Sequence, residues 1–306
     1  MSKFHFIKNQ KVTLCVLALV IVIGLVSFFV RGFNIDIDFS GGTEMKIDLG
    51  TEVTKDVCDD INDIIRNHEK LGNDYVSSTT QSTDSNNMAI IRTGTAALTN
   101  EQTIALQDAL IAKYPTANAN NIQINTIAPT IGSQLTKTAI IAVAVAIVLM
   151  LVYIWIRFEA KSGIAAICCL THDLFVMFAA YSLLQIPVNS MIIAALLTIL
   201  GYSINATIVV FDRVRENKAK AEAGVEFSDV VNKSVHETFG RSINTTITTL
   251  LTIGMIYILG VDSIKDFAFP LIIGIVAGLF SSVFVSGMLW ESLNKVIKPK
   301  AEKKAK

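Results

Sequence analysis

The chain has 306 residues, 52% of them hydrophobic and only 17% charged, and its mean hydropathy is +0.52. Long charge-poor runs at this composition lie outside the range of soluble globular proteins and are the mark of a multi-span membrane protein. The 26 Lys/Arg and 26 Asp/Glu cancel, but residues 31–137 hold 8 and 14 of them, an acidic block in a basic frame that offers nucleic acid no basic patch.

The four cysteines make no disulfide framework: Cys15, Cys168 and Cys169 lie in apolar runs and Cys58 is alone in the acidic block. His5, His68, His172 and His236 are scattered, so neither a metal site nor a cofactor is expected. With no nucleophile–base pair either, the chain reads as a non-enzyme.

In chain order, Met1 to Lys11 is a short basic lead. Val12 to Val30 follows without a charge, roughly 28 Å as a helix and enough to cross a bilayer. A cleaved signal peptide is the rival reading, but the apolar run is too long and no small-x-small site precedes Arg31, which favours a retained anchor.

Residues 31–137 read as a separate domain. Asn34–Phe39 and Glu44–Leu49 alternate like strands around the turn signal Ser40-Gly41-Gly42-Thr43. Val53, Val57, Ile61, Ile64 and Ile65 recur at helical spacing. Tyr75–Gln81 and Met88–Arg92 read as strands around DSNN. Thr99-x-x-Gln102 is a capping box opening a helix with Ile104, Leu106, Leu110, Ile111 and Tyr114, and Asn121–Ile127 is a last strand. The expected order is β and then β-α-β-β-α-β, the last six elements matching a ferredoxin-like split βαβ inserted into a membrane bundle.

Five more spans are expected at about 139–156, 163–184, 189–211, 243–261 and 267–290, within residues 138–291, making six in all. Lys/Arg number 3 before the first span, 2 in 157–162, 6 in the loop 212–242 and 6 after Trp290, in the tail 292–306. The loops 185–188 and 262–266 hold only Lys265. The positive-inside rule then puts both termini in the cytoplasm and residues 31–137 outside. Trp155 and Trp290 fall at cytoplasmic span ends, where interfacial anchors sit. Phe227, Val230, Val231, Val235 and Phe239 share one helical face, expected to lie along the membrane surface. Gly274, Gly278, Ser282 and Ser286 repeat every fourth residue, a small-residue ridge for close packing inside the bundle or with a partner.

A polar seam crosses these spans. GYSINATIVVFDRVREN, residues 201–217, breaks its own hydrophobicity with Gly201, Ser203 and Asn205 before ending in Asp212, Arg213, Arg215 and Glu216. Such a helix faces protein or water there rather than lipid. Arg241 opens the fifth span and is either a snorkelling anchor or a fixed cation facing an acid on a neighbouring helix. Asn244 and Thr245 extend the polar path or serve as interhelical glue, and Asn205 has the same two readings. His172-Asp173 lies near the middle of the third span, as a functional ionisable pair or as a hydrogen bond locking two helices. Neighbours on a helix project about 100° apart, so the two are not expected to face one pore. Asp212 and Arg213 read as a solvated cap.

Taken together, DFSGGT (38–43), RFE (157–159), His172-Asp173, GYSINATIVVFDRVREN and RSINTTITTLLT (241–252) resemble the SecF family of the bacterial protein-export apparatus, in order and spacing over nearly the whole chain. The family-type motif residues here are Asp38, Gly41, Gly42, Gly201, Tyr202, Ser203, Asp212 and Arg213. The resemblance implies a six-helix half-transporter of the RND superfamily in the bacterial cytoplasmic membrane, among lipid. It would pair with SecD and help the SecYEG channel and the SecA motor move an unfolded polypeptide at the expense of the proton motive force. It places Arg241 in the proton path and an acid directly after Asn205; Asn205, Asn244, Thr245, His172 and Asp173 are further candidates for that path on their own polar chemistry. This chain has Ala206 there, so the titrating acid would come from SecD. The alternatives are an RND-type small-molecule or lipid exporter half, disfavoured by the modest outer domain, and a non-coupling structural partner of SecD.

Overall fold

The computed structural model describes residues 10–296, except 69–76, 82–85, 95–96, 118–121 and 223. Most of the basic lead, the last residues of the tail, Tyr75 and part of DSNN therefore lie outside the described residues. The chain divides into two compact units, one of Met1–Asn34, Ala142–Pro187 and Met191–Lys306, the other of Ile35–Ile141 with Val188–Ser190.

Helix α1 (Gln10–Arg31) belongs to the first unit. The second unit opens with a single helical turn, α2 (Ile37–Ser40), where a strand over Asn34–Phe39 is expected. The cause is local. The Asp36 carboxylate accepts the Ile37 N–H at 2.7 Å, a capping bond that starts a helix. Gly41 and Gly42 then turn the chain at φ of +73° and +124°. A Cβ on Gly42 would sit 2.4 Å from the Gly94 carbonyl oxygen, so the DFSGGT turn requires glycine there. All that remains of the expected strand is an isolated bridge between Ile35 and Val188.

The order then follows the expected pattern: β1 (Gly42–Asp48), α3 (Lys55–Asn67), β2 (Ser77–Gln81), β3 (Met88–Thr93), α4 (Asn100–Lys113) and β4 (Gln123–Ile127). The four strands lie side by side as β2-β3-β1-β4, with every neighbouring pair antiparallel. Met45 stands between Ile91 and Ile124. Met45, Ile47 and Ile91 pack on Ile61 and Ile65 of α3 and Leu106 and Leu110 of α4, all fully buried. The Thr99–Gln102 capping box forms as expected, each side chain satisfying the other's backbone N–H.

Six helices of the described residues are long and apolar enough to cross a membrane. The second, α5 (Pro129–Arg157), starts well before the expected 139, so a boundary at 137 falls inside a helix. Gly132 permits this, because a Cβ there would lie 3.0 Å from the Phe39 carbonyl oxygen and the Gly41 nitrogen. The remaining spans are α6 (Ala160–Leu184), α7 (Met191–Lys220), α8 (Phe227–Leu259) and α9 (Asp262–Phe280), the last continuing through a π-helical turn (Ser281–Val285) into α10 (Ser286–Val296).

Bundle packing uses small residues where apolar runs alone are uninformative. The residues of α1 that are buried are Thr13, Gly24 and Ser27. A Cβ on Gly24 would lie 2.7 Å from Ala179 Cβ, and the Ser27 and Ser182 hydroxyls meet at 3.0 Å. Backbones brought this close replace the hydrophobic drive that a lipid environment removes.

Two expectations for the basic end of the bundle need correction. Residues 227–239 are not a separate helix along the membrane surface. They are the first turns of α8, and Val231 and Val235 are buried against Phe211, Val214 and Trp290. Trp290 is not an interfacial anchor: it is 2% exposed, with its ring 4.8 Å from Phe211 and 5.5 Å from Phe227. Trp155 is 83% exposed.

Candidate functional site

Asp173 is a carboxylate fully buried in the bundle, at 0% exposure. Helix α6 carries it, α7 brings Ser203 and the start of the π-helical turn brings Ser281. Both serine hydroxyls donate to Asp173 Oδ2, Ser281 from 2.8 Å, and His172 Nδ1 lies 2.9 Å from Oδ1. His172 and Asp173 hydrogen-bond to each other within one helix, so this contact does not itself lock two helices together. The ties between helices come from Ser203 and Ser281. The His172 ring packs 5.9 Å from that of Phe280.

The small-residue ridge lines this centre. A Cβ on Gly274 would fall 2.3–2.9 Å from Ile199 of α7, and one on Gly278 3.5 Å from Ser203 Cβ and 3.7 Å from Asp173 Oδ2. Gly274, Gly278, Ser282 and Ser286 are all buried within this chain. Their four-residue spacing does not survive as a straight ridge, because the π-helical turn widens the helix at Ser281. Ser282 donates to Leu279 O at 3.1 Å and Ser286 to Ser282 O at 2.6 Å. Such turns are rare and concentrate at functional sites. Ser281 escapes a sequence reading because the spacing selects its neighbour. The paired serines in an apolar run are the only signal.

The other polar candidates lie elsewhere, on α7 and α8. Tyr202 O–H lies 3.2 Å from Thr246 Oγ1, and Asn217 donates to Ser234 at 2.9 Å. These two contacts fix the antiparallel register and bring Asn205 level with Asn244 and Thr245. Arg241 lies one turn nearer the charged end. Arg241, Asn244, Thr245, Thr248 and Thr252 of α8 are exposed, as are Thr198, Gly201 and Asn205 of α7. The hydroxyls of Thr245, Thr248 and Thr252 bond back to carbonyls of their own helix. Among the described residues Arg241 has no carboxylate partner. The polar positions thus separate into a buried centre at Asp173 and an exposed face around Arg241, and among the described residues no hydrogen bond joins the two.

At the charged end, Asp212 is partly exposed and also paired. Arg157 Nη2 lies 2.7 Å from both its carboxylate oxygens, tying RFE to DRVREN. Arg213 donates to Glu216 at 2.8 Å and Glu237 at 2.6 Å, and Asn217 donates to Glu237 at 2.7 Å. Phe158 meets Phe211 edge-on at 5.8 Å beneath these charges.

In the other unit, Asp38 accepts the Ser190 N–H at 2.8 Å. Arg92 Nε lies 2.8 Å from Glu44 and 3.4 Å from Asp36. Burial pushes the Asp36 carboxyl above its ordinary range, with Arg92 opposing and Glu44 reinforcing the shift.

Residues 107–296 match the family described as protein export membrane protein SecD/SecF, C-terminal. The protein translocase subunit SecF of Acidaminococcus fermentans is 34% identical over 300 residues, 97% of this chain and 100% of that one. The protein translocase subunit SecDF of Bacillus subtilis is 32% identical over 94% of this chain, which spans 38% of its length. The crystal structure of SecDF from Thermus thermophilus, a translocon-associated membrane protein, superposes with a TM-score of 0.78 at 30% identity, over 94% of this chain and 38% of that one.

Proposed function

The chain belongs to the SecD/SecF family of protein export membrane proteins, and from that premise we propose that it is a SecF-type accessory subunit of Sec-dependent protein export. It pairs with SecD and uses the proton motive force to help secretory polypeptides through the SecYEG channel driven by SecA. The pairing is favoured by relatives that carry both halves in one SecDF chain.

The observation that carries the coupling is the exposed polar face of α7 and α8. A guanidinium, two amides and several hydroxyls on membrane-length helices are costly against lipid and call for a protein cover. Ala206 stands where the family motif calls for an acid, so the proton carrier opposite Arg241 is a carboxylate of SecD. Both termini are cytoplasmic by the distribution of Lys/Arg, and the unit of Ile35–Ile141 is extracytoplasmic. Its β-α-β-β-α-β order and β2-β3-β1-β4 sheet support a ferredoxin-like domain. Its acidity favours basic segments of unfolded client, weakly and in a salt-sensitive way.

Cells depleted of the chain and complemented with wild type or Arg241→Met test this reading. Uncleaved secretory precursors are expected to clear with wild type and to accumulate with Arg241→Met, while SecD still co-purifies with both. Normal export with Arg241→Met would leave the face a structural contact, the reading that Ala206 favours. Export unaffected by depletion would point instead to an exporter half for small molecules or lipids.

A further inference from the structure

We infer that Asp173 is a proton-binding site complete within this chain, whose occupancy decides where the Ser281 hydroxyl points and thereby the hydrogen bonding of the π-helical turn. The inference rests on the geometry of the centre and not on the export assignment or on SecD.

Oδ2 of Asp173 receives two hydroxyls, from Ser203 and Ser281, and Oδ1 faces His172 Nδ1. An ionised carboxylate accepts all three. Each serine has one proton to give. Ser281 Oγ also lies 3.2 Å from the Gly278 carbonyl oxygen, a second acceptor within reach of the same proton. When a proton binds Oδ2, the acid becomes a donor and needs a serine oxygen as acceptor. Ser281 then turns its own proton to Gly278 O and receives the acid's proton in exchange. The two states hold the same atoms plus one proton and differ in a bond to the carbonyl that precedes the π-helical turn.

The surroundings leave Asp173 as the one carboxylate of this centre among the described residues. On α6 the ionisable neighbours are His172 and the buried Cys169. Helix α7 presents Ser203, and its one ionisable residue before Asp212 is Tyr202, engaged with Thr246. Helix α9 presents Gly278 and has no ionisable residue after Asp266. On α10, Glu291 is held by Lys295 at 2.5 Å, and on α1 Cys15 is exposed. No cation other than a protonated His172 therefore faces the carboxylate among the described residues. The His172 side chain is 8% exposed against 1% for Asp173, which makes the imidazole the route by which the proton arrives.

The test is infrared difference spectroscopy of the full chain in lipid nanodiscs between acidic and alkaline buffer. Wild type is expected to show a protonated-carboxyl stretch that appears with acid, is lost in Asp173→Asn and persists in Arg241→Met. Ser281→Ala keeps the carboxylate and is expected to displace the band, because one hydroxyl partner is gone. It guards against misfolding of Asp173→Asn. A wild-type band that survives unmoved in both Asp173→Asn and Ser281→Ala would overturn the inference. So would a band abolished by sodium ions at constant acidic pH, which would make the centre a cation site.

Discussion

Two residues of the α+β unit test how tightly the DFSGGT turn is built. Asp36 is buried, and its carboxyl titrates above the ordinary value of 3.8. The folded state then holds its proton more firmly than the unfolded chain. This residue's contribution is full below the ordinary carboxylate range and is lost as pH rises through the raised value. In Asp36→Asn that loss should vanish, so the stability of the variant relative to wild type should grow from mildly acidic to neutral pH. Denaturant unfolding of the full chain across a pH series measures it, and a difference that does not change with pH would refute the sign. Gly42→Ala puts a methyl into the Gly94 carbonyl at a φ that L-residues avoid, and the same unfolding assay should show a loss of at least about 2 kcal/mol.

Between elements, the pair Arg157–Asp212 joins the end of α5 to α7. Both side chains are 38% exposed, so its worth is modest, about 1 kcal/mol or less. Arg157→Ala should lower thermal stability slightly, and the exchange Arg157→Asp with Asp212→Arg should recover much of it, a rescue that a packing role for either residue would not allow. Trp290→Ala should be severe, about 3–5 kcal/mol, since it empties the site between Phe211 and Phe227. Quantifying full-length protein in purified membranes would show this, and unaltered levels would contradict the buried placement. The six spans and the β-α-β-β-α-β order are legible in the sequence because each rests on a local period, either a run of apolar residues or an alternation. Trp290 misleads because an aromatic at a span end has the same local pattern whether it faces lipid or core. The first turns of α8 mislead because their polar residues suggest a surface loop, whereas Val231 and Val235 have partners far away in sequence. Arg157–Asp212 and Ser281–Asp173 depend on tertiary contacts that no local pattern encodes.

For the molecule as a whole, the question is what covers the face of α7 and α8. If SecD does, single cysteines at Asn205 and Asn244 should cross-link to it in membranes, while one at the buried Ser282 should not. Equal labelling of Asn205 and Asn244 by a membrane-permeant thiol reagent, with and without SecD, would leave the face uncovered and count against the pairing.

Helix α8 is about 50 Å long at 1.5 Å per residue. Its first turns are gripped by Phe211, Val214 and Trp290, whereas Leu251, Met255, Ile258 and Leu259 near its far end are exposed. It is therefore a beam clamped at the charged end and held more lightly at the other, where Tyr257 meets Phe269 at 5.5 Å and the chain turns into α9. Arg241 sits close to the clamp and Thr252 well out along the beam. A partner pressing on the outer half delivers a bending moment at the root, so a small sideways shift among apolar side chains becomes torque on the Arg213–Glu237 ion pair and on the hydrogen bond from Asn217 to Glu237.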